Sequence, residues 1–419
     1  MTKFLQRASV SRASALVLAA AIAVAIPQAA MAQKKSAEKG PTYKFSKPVQ
    51  SLVAQAQQKQ NAGDHAGALE LLKQADALPE KNSDDVYIIN MLTLNSAINL
   101  KDNALIEKSL EGALTSGRLT REDEVKFRRN LGAMAMQRND LNKAVSEFEK
   151  LIAMDPSDAQ LVVEVAELQR RQKQNDKAIA SMQQAIAIQE KGGQKADESW
   201  YRRTLAIAYD SKLPAQTTAA SEALVKAYPN ATNWRDVLVI YRDGNKLDDQ
   251  ANLDVLRLMR ANNALAGERD YAEYAETATI RGFPGEAKAV LDEGVAKGAI
   301  KSTAPFVKEL LAQVNPKIAA DKASLAGLEK EAAASKTGKA AMATADAQLG
   351  YGNYAKAAEL YKMALTKGGV DAATVNTRLG FALGKTGDKA GAEAALGTVT
   401  APPRDQLAKY YRIWLGNPA

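Results

Sequence analysis

Small residues recur twelve positions apart along this chain, and that step restricts the available folds more than any other feature. Gly132 precedes Ala144 by twelve, and the same step links Ala56 to Ala68, Ala166 to Ala178, Ala275 to Ala287, Ala345 to Ala357 and Gly380 to Ala392. From Ala144 to Ala178 the step is 34. Small residues on either side of a short turn let two antiparallel helices approach closely. Small and aromatic residues four to seven positions apart on the second helix share a face that packs on the next unit. The stretch from Val125 to Asp158 carries the whole pattern: Leu131-Gly132, the turn Asn139-Asp140, then Ala144, Phe148 and Pro156. A clear parallel is YGNYAKAAELYKMAL, with Asn353-Tyr354, Ala357, Tyr361 and Ala364.

These residues resemble the tetratricopeptide repeat (TPR), a helix–turn–helix unit of about 34 residues. The resemblance implies an all-α, TPR-type helix–turn–helix solenoid, here in two repeat blocks joined by a helical segment. It also settles the run Leu379–Asp388, LGFALGKTGD. Gly380, Gly384, Lys385 and Thr386 imitate a phosphate-binding loop, but only three residues separate the glycines where that loop needs four. Such a loop also needs a preceding strand, and residues 371–383 carry helical patterning. Leu379-Gly380 therefore reads as the helix-A pair and Gly387-Asp388 as the inter-helix turn.

The expected organisation runs in six parts. Residues 1–32 form a signal peptide and 33–48 a basic flexible tail. An N-terminal TPR block spans 49–300, followed by a helical connector or degenerate repeats at 301–337, interrupted at Asn315-Pro316. A C-terminal TPR block spans 338–403, and 404–419 form a capping helix and tail. In that last segment Leu407, Tyr410, Tyr411 and Trp414 recur at helical spacing, as the end of an array requires to cover its last apolar face. Scarce aromatics, 5% of the chain, suit close helix–helix contacts better than sheets, which favour β-branched and aromatic residues.

The leader reading rests on Lys3, Arg7 and Arg12, the apolar run Ala13–Ile26, and Ala30-Met31-Ala32 as a cleavage site before Gln33. The run is short for a membrane span, which needs about 20 residues. An exported protein without cysteine must fold on packing alone. The expected compartment is the periplasm, with secretion as second choice. Of the net charge of +8, the leader holds three positives and the tail most of the rest. The body is close to neutral, which gives no support to a nucleic-acid partner.

Catalytic chemistry finds little to stand on. His65 is the one histidine and sits in the first inter-helix turn. Neither a metal-ligand cluster nor a cofactor motif is apparent, so the expectation is a protein that is not an enzyme and carries no cofactor. A pocket holding two buried acids within 245–340 would argue otherwise.

Binding remains. The resemblance implies that helix A of each repeat lines a concave groove, and the repeat positions turned into it place Lys126, Arg129, Arg170, Arg171, Arg203, Arg235 and Arg242 there. Glu167, Asp210 and Asp243 stand against them, and Met136 and Trp200 add apolar surface. An excess of base suits a protein partner presenting an acidic segment or a C-terminus, because the arginine fork gives a carboxylate two parallel hydrogen bonds. The expectation is a scaffold or adaptor in cell-envelope assembly or export. The alternative is a binder of an anionic envelope polysaccharide or peptidoglycan.

Overall fold

A computed structural model describes residues 43–417; the leader expected at 1–32 and most of the tail at 33–48 lie outside the described residues. All regular structure among them is helical. The chain divides into two compact units between Trp200 and Tyr201.

The first unit holds four helix pairs: α1 (Lys47–Asn61) with α2 (His65–Asp76), α3 (Ser83–Leu100) with α4 (Asn103–Thr115), α5 (Arg121–Gln137) with α6 (Leu141–Met154), and α7 (Ala159–Arg171) with α8 (Asn175–Lys191). Each pair packs on itself and on the next. The core is relayed accordingly. Val53, Ala56, Ala68, Leu72 and Ile88 join α1, α2 and α3. Met91, Ile106, Leu110 and Phe127 join α3, α4 and α5. Ala135, Phe148, Leu151 and Val165 join α5, α6 and α7. Each repeat thus covers its neighbour's apolar face, which is how repeat arrays stabilise units too small to fold alone.

The twelve-residue step marks the closest approach within each pair. Ala56, Ala68, Ala144, Ala166, Ala178, Ala275, Ala287, Ala345, Ala357 and Ala392 are all fully buried. A Cβ placed on Gly132 would come within 2.2 Å of the Phe148 ring, and one on Gly380 within 2.4 Å of the Leu396 side chain. Ala97 with Ser109, and Ala208 with Ala220, occupy the same place. Ser109 passes as a small residue because its hydroxyl donates to the Leu105 carbonyl at 2.7 Å.

Eight of the turns share one construction. A residue in the left-handed region ends helix A, at Gly63, Lys101, Asn139, Lys173, Lys212, Gly282, Gly352 and Gly387. The next residue opens helix B, and where it is aspartate its carboxylate caps that helix. Asp64, Asp102, Asp140 and Asp388 accept from the backbone N–H of Gly67, Leu105, Lys143 and Gly391.

The second unit opens within α9 (Glu198–Asp210), followed by α10 (Pro214–Ala227), α11 (Ala231–Gly244), α12 (Asp249–Ala261), α13 (Gly267–Ile280), α14 (Pro284–Ala296), α15 (Pro305–Ala334), α16 (Lys339–Gly350), α17 (Tyr354–Lys367), α18 (Ala372–Lys385), α19 (Lys389–Gly397) and α20 (Arg404–Gly416). Two sequence expectations change here. Residues 305–334, expected to break at Asn315-Pro316, form one continuous 30-residue helix. Proline removes one N–H bond to the carbonyl four residues back, and Ala312, which carries that carbonyl, is exposed. Secondly, α20 does more than cap α18 and α19. It also packs back on α10 and α12, with Tyr410 edge-on to Trp234 and Tyr241 and the Tyr241 hydroxyl donating to the Pro403 carbonyl at 2.6 Å.

Candidate functional site

The nine residues expected to form one groove fall in both units, and each set is described by itself. In the first unit, Lys126 on α5 is exposed and pairs with Glu122, one turn back, at 2.6 Å. Arg129 reaches Asp158, the cap of α7, at 3.3 Å. Arg170 pairs with Glu167 on its own helix, and Arg171 donates to the Asn139 side chain at 2.9 Å. Met136 lies half-buried against the core around Phe148. Trp200 is half-buried at the start of α9.

In the second unit, Arg235 on α11 grips Asp270 on α13 with both ends of its fork, at 3.2 and 3.3 Å. Arg242 on α11 pairs with Glu273 on α13. Arg203 is half-buried on α9, and its neighbour Arg202 bridges to Asp236 on α11 at 2.8 Å.

Arg129, Arg171, Arg202, Arg235 and Arg242 follow one rule: a base on helix A meets an acid or amide about one repeat away, on or beside the next or previous helix A. Lys126 and Arg170 instead pair within their own helices. Arg260 on α12 extends the rule to helix B, meeting Glu293 on α14 at 2.6 Å. The surplus of base counted in the sequence is therefore offset by Asp158, Asp270 and Glu273, which were absent from that count. Asp270 is buried, but the Arg129–Asp158 and Arg170–Glu167 pairs lie at the surface. Surface pairs contribute about 0–1 kcal/mol, so these two cost a competing carboxylate little to open.

A second constellation went unread in the sequence. Within the second unit Asp254 on α12 is buried and accepts from three arginines: Arg257 at 2.9 Å, Arg378 at 3.0 Å and Arg404 at 2.7 Å. Arg257 also grips Glu286 with both ends of its fork, at 2.8 and 2.7 Å. Arg378 reaches Asp346 at 2.8 Å. Tyr274 donates to Glu286 at 2.8 Å, Tyr361 to Asp346 at 2.5 Å, and Tyr411 to the Asp254 carbonyl at 2.6 Å. Three arginines thus balance three carboxylates.

Burial opposes ionisation of Asp254, but the fields of Arg378, Arg404 and Arg257 prevail and hold its carboxyl at about 2. Burial likewise opposes ionisation of Glu286, and Arg257 keeps it below the usual glutamate range. Burial pushes the hydroxyls of Tyr274, Tyr361 and Tyr411 well above the usual tyrosine range.

Asp254 and Glu286 are two buried acids within 245–340, the feature that would have argued for catalysis. Their oxygens are filled by fixed donors, and neither group titrates near neutral pH, where a general acid or base must. The cluster ties α12, α14, α16, α18 and α20 together.

The remaining motifs are structural. Gly380 lies mid-helix on α18, Lys385 ends that helix, and Gly387 takes the left-handed turn before the Asp388 cap. His65 opens α2 and is half-buried. No cluster of three or more potential metal ligands occurs among the described residues. No helix among them is long and apolar enough to cross a membrane.

No protein-family profile matches the chain, and no curated protein matches it in sequence. Among solved structures, similarity is found to MamA from Desulfovibrio magneticus, with 16% identity over 44% of this chain and 95% of that one, at a TM-score of 0.25. A tetratricopeptide repeat protein from Parabacteroides merdae matches at 12% identity over 81% of this chain and 100% of that one, with a TM-score of 0.23. The C-terminal part of a TPR repeat-containing protein from Cytophaga hutchinsonii gives 12%, 78%, 98% and 0.25. At such scores these matches say nothing of partner or activity. The repeat assignment stands on the chain's own helix pairs, the buried twelve-residue step and the shared turn. By those features the protein is an all-α array of tetratricopeptide-type helix–turn–helix repeats.

Proposed function

We propose that this protein is a non-catalytic scaffold that binds a protein partner through the helix-A faces of its repeats. The observation that carries the reading is made in each unit by itself: arginines on α5 and α7 in the first, and on α11 in the second, have their forks engaged by acids or amides about one repeat away. A partner carboxylate can exchange for Asp158 or Glu167 at little cost, because those pairs are exposed and weak. Arginine then offers the incoming group the same two-pronged bond. The partner surface would carry carboxylates spaced by one repeat.

The leader residues support export to the periplasm and a role in envelope assembly or export. Intact mass of the protein recovered from a cell-envelope fraction should begin at Gln33. A chain still beginning at Met1 would remove that part of the reading.

The test of binding is capture from envelope extract with the mature chain beside an Arg129→Glu, Arg170→Glu, Arg203→Glu variant of unchanged helix content. The expected outcome is one defined protein retained by the first and lost from the second. Equal retention by both would overturn the helix-A reading. An anionic polymer as ligand would show as retention that protease treatment of the extract leaves intact.

A further inference from the structure

Helix α7 leaves one face open. Leu161, Val162, Val165, Ala166 and Leu168 are buried, whereas Gln160, Glu164, Glu167 and Arg171 stay half-buried or exposed. Those four follow one another three or four positions apart, which sets their side chains in one row along the helix. Glu167 in the middle of the row is matched by Arg170 at 2.5 Å. The charges on either side of it are not matched.

Glu164 accepts no hydrogen bond and joins no ion pair among the described residues. Arg129 on α5 is close enough to act on it through its field but donates to Asp158 instead. Burial lifts the Glu164 carboxyl above the usual glutamate range, and the pull of Arg129 does not undo it. Arg171 donates to the Asn139 side-chain oxygen at 2.9 Å, a neutral acceptor, and reaches no carboxylate among the described residues. The open face thus carries one unanswered acid and one unanswered base.

A half-buried carboxylate tolerates the lack of a donor because water still reaches it. A partner lying along the row would remove that water, and covering an unpaired charge is strongly unfavourable unless the partner brings the opposite one. The same holds for Arg171. A uniformly acidic ligand would set like charge against Glu164 and be rejected there.

We propose that the open face of α7 is a docking row for a partner segment of mixed charge, with a lysine or arginine set against Glu164 and an aspartate or glutamate against Arg171. The inference rests on the helix-A reading above and narrows it: carboxylates opposite the arginines are not enough, and a base must stand among them. Glu164 and Arg171 are seven positions and so about 10 Å apart along the helix. A partner meets that separation with charges three positions apart in an extended segment or seven apart in a helix. Glu164 is the residue that sets selectivity.

The probe is a phage-displayed library of random dodecapeptides, panned on the chain from Gln33 onward and on its Glu164→Gln and Arg129→Glu variants. The wild type should enrich peptides that combine a base and an acid at one of those two spacings. A selected peptide, resynthesised, should bind Glu164→Gln at least tenfold more weakly than the wild type. The double reversal Glu164→Lys, Arg171→Glu should lose the peptide and regain it when the peptide's two charges are exchanged, which a purely structural effect of the substitutions does not produce. Glu164→Gln removes a carboxylate without partners, so helix content and thermal midpoint should not fall. A fall in either would overturn the inference by giving Glu164 a place in the fold. Peptides lost from Arg129→Glu but indifferent to Glu164→Gln would overturn it and leave the helix-A reading standing. Peptides indifferent to both substitutions would overturn both, and no enrichment on the wild type would overturn the docking row.

Discussion

Arg257, Arg378 and Arg404 converge on Asp254, so one residue decides the charge balance of the second unit's interior. Asp254→Asn keeps the shape and removes the charge, leaving three buried arginines against two carboxylates. Breaking one partner of a buried network costs about 3–5 kcal/mol, and urea unfolding of the second unit should show a loss of that size. The pH dependence follows from the direction of the shifts. Asp254 is lowered from 3.8 to about 2, and Glu286 is lowered from 4.5. Groups depressed in the folded state stabilise fully above their unfolded values and lose that contribution as pH falls through the folded ones. Stability should thus be level above about pH 5 and fall between about pH 5 and pH 2. The variant should lose the Asp254 part of that slope. A wild-type midpoint unchanged down to pH 2 would contradict the account. Little of this was legible in the sequence. Arg378 and Arg404 lie 124 and 150 residues from Asp254, and only the path of the helices brings them to it. The pair Arg129 and Asp158 was legible in principle, because a base and an acid about one repeat apart meet wherever neighbouring repeats pack. Counting charge only at the groove positions of helix A missed it.

At the scale of the element, the helix pairs followed from the twelve-residue step because close approach demands small residues whatever the rest of the helix carries. The turns were less legible. Gly63, Gly282, Gly352 and Gly387 suit the left-handed region they occupy, whereas Lys101, Lys173 and Lys212 adopt it at a cost. That cost gives predictions of opposite sign. Lys101→Gly and Lys173→Gly should each stabilise the first unit by about 0.5–1 kcal/mol, by relieving strain at a residue that a side chain disfavours. Gly63→Ala should destabilise it by about 1 kcal/mol, through backbone strain alone, since nothing lies within 4 Å of the added carbon. Urea midpoints of the three variants check both signs. The α15 helix shows the converse case. Asn315-Pro316 suggested a break, but one missing bond at an exposed carbonyl is too small a loss to stop a 30-residue helix.

At the scale of the whole molecule, the sequence suggested repeat blocks at 49–300 and 338–403, and the chain divides into two compact units between Trp200 and Tyr201. Residues 301–337 were expected as a helical connector or degenerate repeats, and α15, which fills most of that span, packs on α13, α14 and α16. The return of α20 to α10 and α12 had no local signal beyond its aromatic residues. The charged helix-A faces carry the central claim, that exposed arginines paired about one repeat away are where a partner docks. The most direct test measures the affinity of the captured partner for the wild type, for Arg129→Glu, and for the swap Arg129→Glu with Asp158→Arg. The swap restores the internal pair but not the arginine at position 129. The account predicts at least a tenfold loss with Arg129→Glu that the swap does not recover. Full recovery by the swap, or no loss at all, would show that Arg129 serves the fold alone and would contradict it.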